Sequence, residues 1–412
     1  MNIQNKIALV IGASIESLIA IRYAKNLGLK VVAFDGDESA LGLKEADISY
    51  IVDIAKPELI ISKLKRDGLT PNLILPVPIG RPIISIGALN DYYHLDGFGY
   101  KIADICSDKF KFASALVDNG EGLGSLRDIK FDIFDPNLNR NKLKFPLIIK
   151  PRFGSGSKDT MVISNLDELK NITKNIKFTK MDFLIEEFID GLEYGIDAAI
   201  INGEFHHILS RQKLLTPLPY RQAIGYISID EIPSISSYIQ KVITKLNIDN
   251  CLLHADIITK DNRAFIIELS TRPSGHYLSR FIEITTGINP TKEWINKSLN
   301  LPYNFKPKFR KNTIIRYFDF EGDWIAADFD LLKDSLGIVD YRCEINSTLP
   351  KVIDGSTIMD RGYAIIQTNS KEQSLINTQK LISNFSKNDP KKNLLRSLKP
   401  FLRKSRQDKI GE

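Results

Sequence analysis

Two stretches decide the fold of this chain: LLHADII (residues 252–258) and AFIIELSTRPSG (residues 264–275). Polar and apolar residues alternate in both, which predicts two strands, and the residues between them (260–263) predict a hairpin turn. Side chains alternate across a strand. One face is therefore predicted to carry the polar residues His254, Asp256, Glu268, Ser270 and Arg272. The other face carries Leu253, Ala255, Ile257, Phe265, Ile267 and Leu269.

The length of the turn decides whether the two carboxylates face each other. Asp256 lies opposite Glu268 if the turn has an odd number of residues, for instance 261–263, whereas a two-residue turn pairs Asp256 with Ile267. The odd turn gives a platform of two carboxylates, an imidazole, a hydroxyl and a guanidinium, which predicts a divalent cation and a phosphate. The alternative is a surface hairpin with a charged outer face.

Length and composition predict a globular protein of two or three domains. The chain has 412 residues, of which 43% are hydrophobic and 26% charged. No apolar run is long enough for a membrane span, the N-terminus lacks a secretory pattern, and the three cysteines have no metal spacing, so we expect a cytoplasmic protein. The net charge of +6 arises in residues 386–412, which hold nine Lys/Arg and three Asp/Glu. A solvated basic tail is favoured over a nucleic-acid site.

The order of predicted elements indicates an α/β and α+β multidomain fold. Residues 6–35 predict a strand, a helix and a strand of a parallel sheet. The segment after the first strand has one glycine, Gly12, where the dinucleotide fingerprint has three, so NAD binding is not expected. Residues past 307 predict a small α+β unit of short strands and a helix over about 371–383.

Two further segments carry binding chemistry. The loop FGSGSK (residues 153–158) lies between two predicted strands, where glycines let the backbone approach a ligand and successive N–H groups can hold an anion. A flexible turn is the alternative. Lys150 ends an apolar strand just before this loop and therefore requires an anionic partner. The segment EEFI (residues 186–189) precedes a turn and then Glu193.

The order of these motifs, from Lys109 to the hairpin, resembles the ATP-grasp superfamily, in particular carboxylate–amine (L-amino-acid) ligases and the biotin-carboxylase-like branch. The resemblance covers roughly residues 1–385. It implies a parallel α/β domain at residues 1–105 and a two-lobed ATP-grasp domain at 106–305, with lobes of about 106–182 and 183–305. A C-terminal α+β module at 306–385 and the basic tail at 386–412 follow.

The resemblance also implies residue roles. Lys109 and Lys150 hold the ATP phosphates under a loop that includes Gly154, Ser155, Gly156 and Ser157. The adenine is read by Glu186, Glu187, Phe188 and Ile189, and the ribose by Glu193. Mg²⁺ or Mn²⁺ binds Asp256 and Glu268, with Ser270 where the family usually has Asn. The catalytic residues are Arg272, Lys150 and His254.

The activity implied by the resemblance is the joining of a small carboxylate to an amine through an acyl phosphate, with amino-acid-like substrates. Arg211, Lys213 and Arg221 are candidates for holding a substrate anion. A bicarbonate-activating carboxylase and an ATP-binding regulatory protein without catalysis remain alternatives. The expected partners are ATP and the two small substrates, and a homodimer is compatible with the resemblance.

Overall fold

The structure is a computed structural model. It describes residues 3–385 except 5, 118–124, 135–142, 155, 176–182, 219–220, 325, 346–347, 353 and 360. The strands are β1 Ile7–Ile11, β2 Lys30–Asp35, β3 Ile48–Ile51, β4 Leu73–Ile74, β5 Phe131–Ile133, β6 Leu147–Pro151, β7 Met161–Ile163, β8 Phe183–Glu187, β9 Leu192–Ile201, β10 Glu204–Leu215, β11 Ala223–Ile229, β12 Cys251–Lys260, β13 Arg263–Ser270, β14 Asn312–Tyr317, β15 Gly322–Asp323, β16 Ile338–Cys343, β17 Thr348–Leu349 and β18 Gly362–Thr368.

The helices alternate with strands near the N-terminus and are more scattered after it. They are α1 Leu18–Asn26, α2 Leu41–Glu45, α3 Pro57–Arg66, α4 Ile83–Tyr93, α5 Tyr100–Ser107, α6 Lys109–Leu116, α7 Leu166–Asn175, α8 Pro233–Leu246, α9 Leu278–Thr286, α10 Pro290–Ser298, α11 Phe329–Leu336, α12 Gly355–Met359 and α13 Lys371–Ser383. A short 3₁₀ turn covers Ile15–Ser17. In the described part of the chain, no helix has the length and hydrophobicity that a membrane crossing requires.

The predicted parallel sheet at the N-terminus is confirmed. Its four strands lie in the order β3-β2-β1-β4, and every neighbouring pair is parallel. The β1 sequence IALVI is buried almost throughout, as expected for a strand covered on both faces. Two antiparallel sheets follow, one of four strands in the order β5-β8-β6-β7 and one of eight in the order β13-β12-β9-β10-β11-β14-β18-β16. The site lies between these two sheets.

Three C-terminal strands, β14, β16 and β18, continue the large sheet, whereas β15 and β17 pair with each other in a separate two-stranded sheet. Strand β14 pairs with β11, and β18 and β16 follow on its other side, all antiparallel. Residues 312–317, 338–343 and 362–368 therefore share a sheet with the 252–270 hairpin. The predicted module boundary at 306 crosses no break in this sheet, and the proposed domain limits remain predictions.

The hairpin has the predicted carboxylate pair but not the predicted turn. Lys260 pairs with Arg263, so the turn has two residues, Asp261 and Asn262, with φ of 49° and 58°. Positive φ at both positions gives the turn that best matches strand twist. The odd-turn prediction is therefore wrong. A bulge between Asp256 and Ile257 shifts the register by one residue and restores the pairing of Asp256 with Glu268.

The same bulge corrects the predicted faces of strand β13. Ile266 is completely buried in the main core and pairs with Ile257. Ile267 and Phe265, which were expected on that core face, are half-buried and pack with Ile258 in a separate small cluster. Ile267 lines the cleft described below. Because the ladder contains one extra residue, the residues of β13 that precede Glu268 point to the opposite faces from those predicted.

Candidate functional site

One cleft between the two antiparallel sheets collects most of the predicted site residues. Those that line it are Lys109, Lys150, Gly154, Gly156, Ser157, Glu186, Glu187, Phe188, Ile189, Glu193, His254, Asp256, Glu268 and Arg272. Ser155 lies outside the described residues. Ser270 lines an adjoining pocket instead, together with Glu268 and Arg272.

The paired carboxylates form the polar floor of the cleft. One ligand atom from each of His254, Asp256 and Glu268 lies within 4.8 Å of the other two. Asp256 Oδ1 is buried and has no hydrogen-bond partner among the described residues. A buried carboxylate oxygen without a partner is costly. Two carboxylates in this arrangement fit a hard cation such as Mg²⁺, which favours oxygen ligands.

Lys213 occupies the other oxygen of Asp256. Its Nζ lies 2.6 Å from Asp256 Oδ2 and 3.7 Å from Glu193 Oε2. Burial alone would raise the pKa of Asp256, but the ammonium of Lys213 and other neighbouring cations lower this pKa to about 2. The sequence suggested that Lys213 binds a substrate anion. In the structure it instead links Asp256, the predicted metal ligand, to Glu193, the predicted ribose ligand. A cation at the floor would therefore bind the free oxygen, Oδ1.

Arg211 fixes the proton position of His254. The Arg211 guanidinium is fully buried, with Nε 2.8 Å from Asp197 Oδ2 and Nη2 3.0 Å from His254 Nδ1. A guanidinium has only donors, so Nδ1 accepts and the proton of the neutral ring is on Nε2. Burial lowers the pKa of His254 to about 4. Nε2 therefore carries the ring proton and lies 3.5 Å from Asp256 Oδ1 without a hydrogen bond to it, so in this tautomer it has no lone pair for a metal.

The prediction that Arg211 binds a substrate anion is not supported by its surroundings. The same guanidinium also donates to Ser274 Oγ at 2.9 Å, and that hydroxyl donates to Asp197 in turn. Position 195 has room only for glycine, because a Cβ there would lie 2.1 Å from Arg211 Nη1. These contacts make Arg211 a support for His254. The sequence offered no signal for Asp197, which lies on β9 in a run of mostly apolar residues.

A buried ion cluster supports the other wall of the cleft. Glu186 Oε2 lies 2.7 Å from Lys150 Nζ, and Glu186 Oε1 lies 2.8 Å from Arg127 Nη2. Burial opposes ionisation of Glu186, but the two cations lower its pKa overall. The pKa of Lys150 is lowered by its own burial. The cluster holds two basic side chains and one carboxylate, and one of the basic side chains, Lys150, lines the cleft.

This cluster changes the prediction for residues 186–189. The carboxylate of Glu186 is committed to Arg127 and Lys150, and Arg127 was not found from the sequence. The Glu187 N–H donates to the Lys130 carbonyl at 2.9 Å and the Phe188 N–H to the Pro146 carbonyl at 3.3 Å. An adenine edge would therefore meet the remaining backbone groups of this segment.

The described residues of the glycine-rich loop line the cleft, and the carbonyls of Gly154 and Gly156 accept hydrogen bonds from other elements. Lys109 Nζ donates to the Gly154 carbonyl at 2.7 Å and lies 3.8 Å from Glu268 Oε2. The Gly156 carbonyl accepts from the Gly355 N–H at 3.0 Å. Gly156 has φ of +66°, and a Cβ there would lie 3.2 Å from Gly355 Cα. The loop thus touches α12, far along the chain.

Glu193 and Arg272 also line the cleft, and each has protein partners. Glu193 Oε1 accepts two hydrogen bonds from Arg221, one of them from Nε at 3.0 Å. Arg221 therefore pairs with the predicted ribose carboxylate and is not presented as a separate anion site. Arg272 donates from Nη1 to the Pro273 carbonyl at 2.9 Å. Burial lowers the pKa of Arg272, opposed by Glu268 and Glu16.

A family model and several curated proteins match parts of this chain. The family described as the ATP-grasp domain matches residues 143–279. The chain is 24% identical over 294 residues to a carbamoyl-phosphate synthase of Methanobrevibacter smithii, covering 66% of this chain and 76% of that one. It is 24% identical over 295 residues to a formate-dependent phosphoribosylglycinamide formyltransferase of Prochlorococcus marinus, covering 68% of this chain and 72% of that one.

Two solved structures share the fold over nearly the whole chain. An L-amino acid ligase from Bacillus licheniformis has a TM-score of 0.74 at 17% identity, covering 93% of this chain and 98% of that one. A phosphoribosylglycinamide synthetase from Anaerococcus prevotii has a TM-score of 0.69 at 22% identity, covering 93% and 99%.

Proposed function

We propose that this protein is an ATP-dependent ligase that activates a carboxylate as an acyl phosphate and joins it to an amine. The match of residues 143–279 to the ATP-grasp domain and the fold shared with an L-amino acid ligase support the proposal. One observation carries the proposal. Three cations, Lys109, Lys150 and Arg272, line the same cleft as the paired carboxylates Asp256 and Glu268. That arrangement can hold a polyphosphate and a metal together.

The proposed residues act mainly by position and charge. Lys109 and Lys150 bind the ATP phosphates, and the loop at 153–158 covers them. Asp256 and Glu268 would hold Mg²⁺, which would supply positive charge next to the phosphates. A carboxylate oxygen of the substrate attacks the γ-phosphorus, the bond to the β,γ-bridging oxygen breaks, and ADP leaves.

The second step transfers the acyl group to the amine. The amine nitrogen attacks the acyl carbon, inorganic phosphate leaves, and the nitrogen loses a proton to give the amide. Arg272 lines the cleft and offsets the repulsion between the phosphate and the substrate carboxylate. His254 donates from Nε2 towards the phosphates. Amino-acid-like substrates are proposed because a small acid and an amine both suit a cleft of this charge.

Hydroxylamine trapping tests this function. The protein is incubated with ATP, Mg²⁺ and a panel of amino acids and small carboxylic acids, with hydroxylamine as the amine, and acyl hydroxamate and ADP are measured. We expect both products only when an acid of the right class is present. Glu268→Gln is expected to abolish both, whereas Glu204→Gln, at an exposed glutamate on β10, should change neither.

The outcomes separate the alternatives. ADP release with bicarbonate and without any organic acid would favour a carboxylase-type enzyme. Nucleotide binding without turnover on the whole panel and on bicarbonate would favour a regulatory protein. Unchanged turnover in Glu268→Gln would contradict the metal assignment.

A further inference from the structure

A second pocket opens beside the cleft, against the N-terminal domain. We name it the side pocket, and its lining residues are Ile79, Gly80, Arg81, Ile83, Cys106, Ser107, Lys109, Phe112, Gly154, Glu268, Ser270, Thr271 and Arg272. Lys109, Gly154, Glu268 and Arg272 also line the cleft. The side pocket is therefore continuous with the place where the γ-phosphate would lie.

The charge of the side pocket is positive. It is lined by the cations Arg81, Lys109 and Arg272, against one carboxylate, Glu268. That carboxylate is assigned to the metal. Lys109 and Arg272 also line the cleft and can balance the ATP phosphates there. Arg81 lines only the side pocket, so its charge is available to a group other than the nucleotide.

Arg81 is presented in a geometry that suits an anion. Its guanidinium stacks on the Phe153 ring, with Cζ 4.1 Å from the ring centroid. Arg152 lies against the same ring at 5.3 Å but is paired with Asp108 through its Nη2 at 2.7 Å. In the described part of the chain, Arg81 has no ion pair. A stacked guanidinium keeps its edge N–H groups free for bidentate contact with a carboxylate or phosphate.

The remaining walls limit the body of the ligand. Ile79, Ile83 and Phe112 are buried apolar residues, which favour a short hydrocarbon chain. The hydroxyl of Thr271 is buried and has no hydrogen-bond partner among the residues that the structure describes. It is an unused polar atom beside Arg272, which suits a ligand with a polar group at that end.

We propose that the side pocket binds the acid substrate and that this acid carries two anionic groups. The inference rests on the proposed ligase function. The reacting carboxylate lies at Arg272 and Glu268, next to the γ-phosphate. The second group, a carboxylate or a phosphate, binds the Arg81 guanidinium, and the chain between them packs on Ile79 and Ile83.

Binding of matched acid pairs tests the proposal independently of turnover. Each pair has the same chain length with one or two anionic groups: butyrate and succinate, valerate and glutarate, glycerate and 3-phosphoglycerate. Affinity is measured by calorimetry on the full chain with saturating Mg–ADP. We expect the dianion of at least one pair to bind about ten- to a hundredfold more tightly, because a charge-assisted hydrogen bond contributes about 1.5–3 kcal/mol.

Arg81 variants then locate the second group. Arg81→Gln should bring the two members of that pair to similar affinity, and Arg81→Lys should restore part of the difference. Arg66→Gln, an exposed arginine on α3 that pairs with Asp67, is the control and should change nothing. Preference for succinate or for 3-phosphoglycerate distinguishes a carboxylate from a phosphate.

The results that overturn the proposal are distinct from failure of the ligase function. The proposal would be overturned if the two acids of every pair bound equally, or if no acid bound. It would also be overturned if Arg81→Gln weakened the binding of both acids of a pair to the same extent. If the protein preferred dianionic acids in a way that depended on Arg81, but formed no hydroxamate from any acid, the side pocket would be supported and the proposed ligase function contradicted.

Discussion

Replacing Glu186 with Gln should destabilise the folded protein strongly. The carboxylate is the shared partner of Lys150 and Arg127, whose side chains are 5% and 1% exposed. The substitution keeps the shape but leaves two buried cations without a counter-ion. Removing one partner of a buried ion pair costs about 3–5 kcal/mol, a large part of a typical stability of about 5–15 kcal/mol. Arg127 also donates to the Ile266 carbonyl at 2.8 Å, so strand β13 should loosen too.

Urea unfolding followed by circular dichroism measures this effect. Glu187→Gln is a matched control, because Glu187 is the exposed neighbour on the same strand, and it should shift the midpoint little. Glu186→Gln with Lys150→Met should cost less than the sum of the single changes, since one unpaired cation is removed. A loss below about 1 kcal/mol in Glu186→Gln would refute the description of this cluster as a buried ion network.

The same cluster predicts a dependence of stability on pH. The folded state lowers the pKa of Glu186 below the value of about 4.3 expected in the unfolded chain. Its contribution is therefore complete above that unfolded value and is lost as the pH falls through the folded pKa. The difference in stability between the native protein and Glu186→Gln should accordingly shrink in acid, and a constant difference would contradict this.

Three further predictions concern other positions. Burial lowers the pKa of His207 from 6.5 to about 4, so the free energy of unfolding should fall as the pH drops from 6.5 to 4. His207→Gln should reduce this fall by up to about 3 kcal/mol, as measured from unfolding curves at each pH. Lys213→Met removes the ammonium from Asp256 and should tighten Mn²⁺ binding in spin-resonance titrations while lowering turnover; weaker Mn²⁺ binding would count against the proposed metal site. Gly355→Ala places a Cβ 2.6 Å from His276 Cε1 beside the glycine-rich loop and should raise the KM for ATP in steady-state kinetics; an unchanged KM would argue that this contact is unimportant.

The sequence predicted the chemistry of the hairpin better than its geometry. Alternation placed Asp256 and Glu268 on one face, and they are paired in the structure. The turn was predicted with the wrong length because an Asp-Asn pair with positive φ closes the hairpin in two residues. The bulge that compensates for it leaves no clear mark in the sequence, since Ile266 and Ile267 are alike in hydrophobicity and only packing decides which one is buried.

Partners from distant parts of the chain were the main omission. Arg127 reaches Glu186 across 59 residues, and Arg211 reaches Ser274 across 63. From the sequence, Arg211 had the same appearance as any loop or substrate-binding arginine. Its burial and its bond to Asp197 come from the pairing of β9 with β10, which local patterns do not encode. The continuation of the large sheet into β14, β18 and β16 depends on long-range pairing of the same kind.

The most direct test of the central claim is positional isotope exchange in ATP labelled with ¹⁸O at the β,γ-bridging oxygen. With Mg²⁺ and the acid substrate present but no amine, formation and reversal of an acyl phosphate should move the label to a non-bridging position of the β-phosphate. The account predicts exchange that requires the acid and is abolished by Glu268→Gln. The account would be contradicted if the protein formed an amide from acid and amine but showed no acid-dependent exchange and gave no acyl hydroxamate.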